Sequence, residues 1–266
     1  MTDVDGSVAV RLGGPPFFAA EALAREGRTA VICTRGGDAE LLEPIGRLGL
    51  PVVNGPGERT FVSEMTLRHG GERVEAIQAL GEGFSVEDLE TWLKPALADC
   101  GTVVCGAVWR DDFPPEPLRR LAADGKRVFL DGQGWARPSQ IGPLVLEGPL
   151  DPAAVDGVDV LKLSEIEADV LIGGIDTSAP GRLCVPLIVV TLGERGAVLL
   201  SDGRSRQVDV VPVYGLFDTI GAGDAFLALM AAATDAGDDD LKAAQVACNG
   251  VSQLLRDRLR ARSLAS

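Results

Sequence analysis

One histidine and five scattered cysteines leave little material for metal or disulfide chemistry. His69 lies in the turn-like stretch Arg68-His69-Gly70-Gly71, where a solvated ring is expected, and one imidazole cannot build a histidine-rich metal centre. Cys33, Cys100, Cys105, Cys184 and Cys248 are odd in number and contain no C-x-x-C pair. They read as small buried hydrophobes in a reducing compartment, not as a disulfide frame or a zinc site. Basic residues are also scarce. Twenty-five Lys and Arg stand against 39 Asp and Glu, a net charge of −14, which argues against a nucleic-acid partner. A small anionic substrate stays open, because local amides and one or two arginines can reverse the field in a cleft. No apolar run approaches the roughly 18 residues that a membrane helix needs. The N-terminus, MTDVDGSVAV, has neither a basic n-region nor an apolar h-region. No membrane partner is expected, and the expected location is the cytoplasm.

What remains is ordinary globular material: 266 residues, 46% apolar and 24% charged. Helical and strand patterns alternate along most of it. Residues 15–26 read as a helix with prolines in its first turn and Gly27 just past its end. Residues 29–34 and 51–53 read as short strands, with a helix over 41–48 between them. A helix over 85–98 opens on Ser85, with Asp88 three residues on. Strands near 102–105 and 127–130 flank a helix from about Pro117, and strand 158–163 leads into helix 165–172. Residues 185–191 and 197–200 bracket Gly193-Glu194-Arg195-Gly196 as a hairpin. Two helices, about 222–235 and 239–262, end the chain. Repeated βαβ units imply a mostly parallel central sheet with helices on both faces, an α/β fold in one domain over residues 1–266. Residues 59–79 break the rhythm as two extended arms around His69-Gly70-Gly71, a small β lid over the cleft.

The most informative stretch is Asp218-Thr219-Ile220-Gly221-Ala222-Gly223-Asp224-Ala225-Phe226. It follows an expected strand over 207–213 and opens an alanine-rich helix. Small residues at 221–223 let a ligand approach the backbone, and their N–H groups sit at the positive end of the helix dipole. Such a cradle suits a phosphate or a developing oxyanion. Asp224, in the first helical turn, would repel a bound anion but would serve as a base for a hydroxyl attacking phosphorus. Good capping chemistry explains the same aspartate, and spacing alone leaves both readings open. Two rival motifs fail. The third position of a dinucleotide fingerprint is occupied by Phe226, and no Gly-Lys-Ser/Thr loop occurs anywhere.

The run D-T-I-G-A-G-D-A-F resembles the signature of the ribokinase-like (PfkB) carbohydrate kinases, and three further segments follow that family's order. Gly13-Gly14 before the Ala19-Ala20 helix resembles its sugar-contacting Gly-Gly motif. Ser164-Glu165-Ile166-Glu167-Ala168 resembles its N-x-x-E element. Thr191-Leu192-Gly193-Glu194-Arg195-Gly196 resembles its nucleotide-binding T-x-G-x-x-G hairpin. The resemblance implies transfer of the γ-phosphoryl of ATP to a hydroxyl. Asp224 would be the base, and Gly221, Ala222 and Gly223 the anion hole. Thr191, Gly193, Gly196 and Asn249 would border the nucleotide, and Gly13 and Gly14 the acceptor. Glu167 would hold Mg²⁺ through water. Asp218, with Ile220, is the position at which many members bind a monovalent cation, so the resemblance opens K⁺ dependence. Asp131-Gly132-Gln133-Gly134-Trp135-Ala136-Arg137 is similar to the D-x-Q-G-x-x-R element of short myo-inositol-kinase-like members. Gln133 would then touch the acceptor and Arg137 clamp the phosphoryl group, although Arg137 could instead pair with one of the chain's many acids.

The chain departs from the family pattern in three places. Only 12 residues precede Gly13, so the family's first strand, with an Asp that grips substrate hydroxyls, has little room. Asp3 and Asp5 are the acids available for that role. Phe18 stands where Asn is usual, which suits a less polar face of the substrate, and Ser164 replaces another Asn. The resemblance implies a sugar or a myo-inositol-like cyclitol as the substrate. A nucleoside kinase and a non-catalytic ligand-binding homologue are the alternatives, the former needing a stacking surface from Phe17, Phe18, Trp109 or Trp135. Phe61, Val62, Met65 and Leu67 would either form a lid-to-lid homodimer edge or cover the cleft.

Overall fold

The computed structural model describes residues 12–36, 42–67, 73–214 and 218–265. The expected turn at His69 and the acids Asp3 and Asp5 lie outside the described residues. A six-stranded sheet forms the frame. Four of its strands are parallel: β5 (Thr102–Cys105), β6 (Arg127–Asp131), β8 (Val160–Ser164) and β9 (Leu187–Thr191). β10 (Ala197–Ser201) and β11 (Arg204–Val208) close one side antiparallel, giving the order β11-β10-β9-β8-β6-β5. Two smaller sheets accompany it. β1 (Ile32–Arg35) pairs in parallel with β2 (Val52–Gly55). β3 (Val62–Leu67), β4 (Arg73–Ala79) and β7 (Gly142–Pro143) make an antiparallel ribbon over the segment where the lid is expected.

Side-chain alternation divides the main sheet between two cores. Leu130, Leu161, Leu163, Ile188 and Val190 pack with α5 (Pro115–Ala123) and α7 (Glu165–Ile172) on one face. Phe129, Val160, Leu187 and Val189 pack against α9 (Ala222–Asp235) and α10 (Asp240–Ala265) on the other. By the same alternation Asp131, which ends β6, and Lys162, in the middle of β8, belong to the α9 face.

Some boundaries differ from the sequence pattern, each for a local reason. The helix expected over 85–98 is two, α3 (Val86–Glu90) and α4 (Leu93–Leu97). Pro95 has no N–H for the Thr91 carbonyl, so it sits in the first turn of a new helix, where that loss costs nothing. The first short strand begins at Ile32, not Thr29, and the helix near 41–48 contracts to α2 (Glu43–Gly46). The strand expected over 207–213 ends at Val208, because its partner β10 begins opposite at Ala197. Beyond that point Gln245 donates to the Asp209 carbonyl and Ser252 to that of Val211, which lays the segment on α10. All five cysteines are free, but Cys184 is exposed and does not fit the buried-hydrophobe expectation. It ends α8 (Ala179–Leu183) in the left-handed region, outside the core.

Asp88 ties the β1–β2 pair to these helices. Its carboxylate accepts from Ser85 N–H and Oγ–H, from Trp92 Nε1 and from Arg35 Nη1, at 2.7–2.8 Å. Burial opposes its ionisation, yet the donors of Trp92, Ser85 and Arg35 outweigh it and lower the pKa. A depressed carboxylate stabilises the fold above its unfolded pKa and loses that contribution as pH falls through the folded value. Asp88→Asn is expected to cost about 2–4 kcal/mol in urea unfolding at neutral pH. The gap to wild type should shrink below about pH 4; a gap independent of pH would refute the charge argument.

Candidate active site

The carboxyl ends of β6, β8 and β9 lie side by side, where open α/β sheets place their ligands. Asp131 of β6 is the register partner of Lys162 of β8, and Ser164 that of Thr191. Lys162 Nζ donates to both carboxylate oxygens of Asp131, at 2.9 and 3.2 Å, and both residues are buried. Burial alone would lower the lysine pKa, but the carboxylates of Asp131, Glu167 and Asp224 raise it well above the ordinary value. The ammonium lies against Gly223, where a Cβ would come within 2.6 Å of Nζ. A positive charge therefore sits directly beneath the glycine turn.

That turn is built around Gly221, the N-cap of α9, with φ of 75°. Any Cβ there would be both strained and driven into the Phe18 ring, 2.0 Å from Cγ. The Asp218 carboxylate accepts from the Ile220 N–H at 2.9 Å, and the Ala222 N–H donates to the Thr219 carbonyl at 3.2 Å. Ala222 is thus used inside the turn, a correction to its expected place in the anion hole. Among the described residues the N–H groups of Gly221, Gly223 and Asp224 have no main-chain acceptor and remain available. Asp224 stands half-buried beside them. Burial and the neighbouring Asp131 push its pKa up to about 7, against the opposing pull of Lys162 and Arg137.

Arg137 follows the short helix α6 (Gln133–Ala136), and its guanidinium makes two bonds to Glu75 of lid strand β4, at 3.2 and 3.3 Å. Among the described residues its Nε is buried without a partner, at the junction of ribbon and sheet. The Gln133 N–H donates to the Asp131 carboxylate at 3.0 Å, which places Gln133 at the same edge. Phe61 stacks on Trp109 with centroids 5.3 Å apart and planes 6° apart, a second attachment of the lid. That contact takes Phe61 out of the expected dimer edge.

Gly13 and Gly14 lead into α1 (Pro15–Arg25). Pro15 lies on Gly106, just past β5, where a Cβ would meet it at 2.2 Å. The Gly-Gly turn therefore reaches the same edge of the sheet. Phe18, expected to face substrate, instead is buried over Gly221 as the packing surface for the turn. Thr191 Oγ1 donates to the Leu163 carbonyl. Gly196 takes φ of 84° with its α-carbon pressed onto Val208 O, so its glycine is required by the hairpin itself. Asn249 is exposed on α10, bonded to Gln245, and does not join the cluster. Glu167 spends one carboxylate oxygen on the Ser164 N–H, at 2.7 Å, in the capping box of α7.

Sequence reading passed over Lys162 and Glu75, and named Asp131 only as part of its motif, without a role. The signal for the first was present: a lysine inside the apolar run Val160-Leu161-Lys162-Leu163 is tolerated only when paired. Glu75 carried no such mark, since its partner is 62 residues away.

Residues 149–261 match the family described as pfkB family carbohydrate kinase. Solved structures agree on a ribokinase-like fold. A pyrophosphate-dependent kinase in the ribokinase family, complexed with a pyrophosphate analog and myo-inositol, superposes with a TM-score of 0.78. It is 19% identical, with 98% of this chain and 96% of that one covered. The Arabidopsis thaliana ribokinase complexed with ribose and ATP gives 0.68 at 21% identity, covering 95% and 85%. The adenosine kinase from Sinorhizobium meliloti gives 0.67 at 18%, covering 96% and 83%. Lys162→Met leaves Asp131 buried without a countercharge and is expected to cost about 3–5 kcal/mol of stability. Thermal and urea unfolding measure it, and an unchanged midpoint would show that the pair is not buried in solution.

Proposed function

We propose that the chain transfers a phosphoryl group from a phosphoanhydride donor, ATP or pyrophosphate, to a hydroxyl of a sugar or a myo-inositol-like cyclitol. The observation that carries this reading is Asp224 beside the open N–H groups of Gly221 and Gly223, with the Lys162–Asp131 pair beneath them. In this reading the acceptor hydroxyl donates to the Asp224 carboxylate and loses its proton to it as the new O–P bond forms. The Gly221 and Gly223 N–H groups take up charge developing on the transferring phosphoryl, and Arg137, released from Glu75, offsets the rest. A pKa near 7 keeps Asp224 basic enough to accept a proton and ionised often enough to act.

A divalent cation fits this donor set. Asp131, Asp224 and Glu167 face a single lysine, an excess of negative charge where a polyanion must come. Among the described residues no three acids, histidines or cysteines form a cage that would hold a metal unaided. Mg²⁺ would then enter with the donor phosphates, as it does where one or two carboxylates and phosphates share it, with Glu167 reaching it through water. Bound there, it would neutralise charge on the donor.

The four aromatic candidates favour a polyol over a nucleoside. Phe18 covers Gly221, Trp109 stacks on Phe61, Phe17 meets Phe18 edge-on, and Trp135 packs against the core. Phe18 and Trp109 are buried and so withdrawn from stacking on a base, whereas Glu75 and Arg137 are groups that hydroxyls can bond. The lid's outer strand β3 has an exposed Val62 and no partner on its far side among the described strands, which supports a lid-to-lid dimer. Sedimentation at micromolar concentration checks that part; a single-chain mass removes it.

The decisive assay pairs MgATP and magnesium pyrophosphate with myo-inositol, ribose, fructose, adenosine and buffer alone. Turnover is expected with a polyol acceptor, and Asp224→Asn is expected to lose about 10²–10⁴-fold in kcat while still binding donor. Activity within about threefold of wild type would remove Asp224 as the base. Binding without turnover on every pair would favour a ligand-binding homologue. Because the ionised form acts, kcat should rise with pH up to about 7 and then level. A flat profile across that range would also contradict the assignment.

A further inference from the structure

Arg258 stands on α10, 38 residues beyond Ile220, yet its guanidinium ends on the glycine turn. Nη1 donates to the carbonyl oxygens of Ile220, at 2.8 Å, and Asp218, at 3.2 Å. Nη2 pairs with Glu21 of α1 at 2.7 Å, and the guanidinium carbon lies 5.7 Å from the Phe18 ring centroid. One side chain thus joins α10, α1 and the turn that opens α9, and only 19% of it is exposed.

These contacts bear on the K⁺ expectation. The two residues that the resemblance assigns to a monovalent cation, Asp218 and Ile220, already present their carbonyls to a fixed positive charge. Asp218 also spends a carboxylate oxygen on the Ile220 N–H. The oxygens that a free ion would need are engaged, so the residues present do not fit one. We infer that Arg258 is a built-in cation and a positioning residue for the anion hole, and that the chain works without a free monovalent cation. In a trans peptide the C=O and N–H point in opposite directions. Holding the Ile220 carbonyl towards α10 therefore turns the Gly221 N–H away from α10, to the side where the donor would lie. The guanidinium stays charged at every working pH, its fork spans both carbonyls, and its tether makes occupancy independent of the salt present.

The inference rests on the phosphoryl-transfer reading, so its test separates the two. Wild type, Arg258→Met and Arg258→Lys are assayed in potassium and in tetramethylammonium buffers, and each is titrated by calorimetry with inorganic pyrophosphate and with MgADP. Wild-type kcat is expected to differ by less than about twofold between the salts. Arg258→Met should lose about 10²-fold in kcat, as loss of one oxyanion donor does, with acceptor KM nearly unchanged. Added guanidinium or potassium should restore part of that rate, and Arg258→Lys should fall between. A wild type strongly activated by potassium, or an Arg258→Met variant within about threefold of wild type, would overturn the inference. Should Arg258→Met not fold, the wild-type salt comparison still decides, and Glu21→Gln, which frees one end of the guanidinium, should lower kcat in the same direction. If wild type turns over no acceptor, the kinase reading fails and calorimetry decides instead. Equal anion affinity in both salts and at least about tenfold weaker binding by Arg258→Met would uphold Arg258. Equal affinity in wild type and variant, or no binding of either anion, would overturn it.

Discussion

The pair between Lys162 and Asp131 sets the conditions for everything at the carboxyl edge of the sheet. Taking each ion out of water costs several kcal/mol. Their attraction at 2.9 Å, in an effective dielectric of about 20, returns about 6 kcal/mol. The two nearly cancel, so the pair is not retained for stability; what it leaves behind is a local field. Its ammonium lies under Gly223, and its carboxylate crowds Asp224 and raises that pKa. An acid and a base of opposite charge, one strand apart at equal register, thus tune a third group on the helix above them.

The lid is attached to this edge by two contacts of different character. Phe61 on Trp109 is an apolar stack that ionic changes do not disturb. Glu75 on Arg137 is an ion pair that an arriving phosphate can compete for, since phosphate takes the same bidentate fork. One attachment holds the ribbon in place, while the other makes the arginine's availability depend on what occupies the cleft. Among the described residues the Nε of Arg137 has no partner, although it is buried.

Around Gly221 three elements distant in sequence meet. Phe18 of α1 fills the space that a side chain would take, Arg258 of α10 holds the carbonyls, and α9 starts from the turn they define. The replacement of a polar residue by Phe18 and the position of Arg258 are therefore one packing solution: the cation rests on the ring that covers the glycine. Phe18 thus shapes the glycine turn from a buried position.

Much of this protein is legible in its local sequence. The alternation of strand and helix, the capping boxes at Ser85 and Ser164, the hairpin around Gly193 to Gly196 and the start of α9 at residue 222 all follow from local rules of propensity, capping and φ. Asp224 and its glycines were legible as a candidate site because they lie within four consecutive residues. Other features depended on where the chain returns. Lys162 could be seen to need a partner, but only strand order names Asp131. Arg137 could be seen to need an acid, but only the lid's register supplies Glu75. Arg258 looks like any surface arginine on a long polar helix until α10 is packed against α1 and α9. Local sequence determines conformation because its interactions span a few residues. The site was decided by tertiary structure, because charges act through space and the groups that tune Asp224 come from strands, a lid and a helix far apart in the chain.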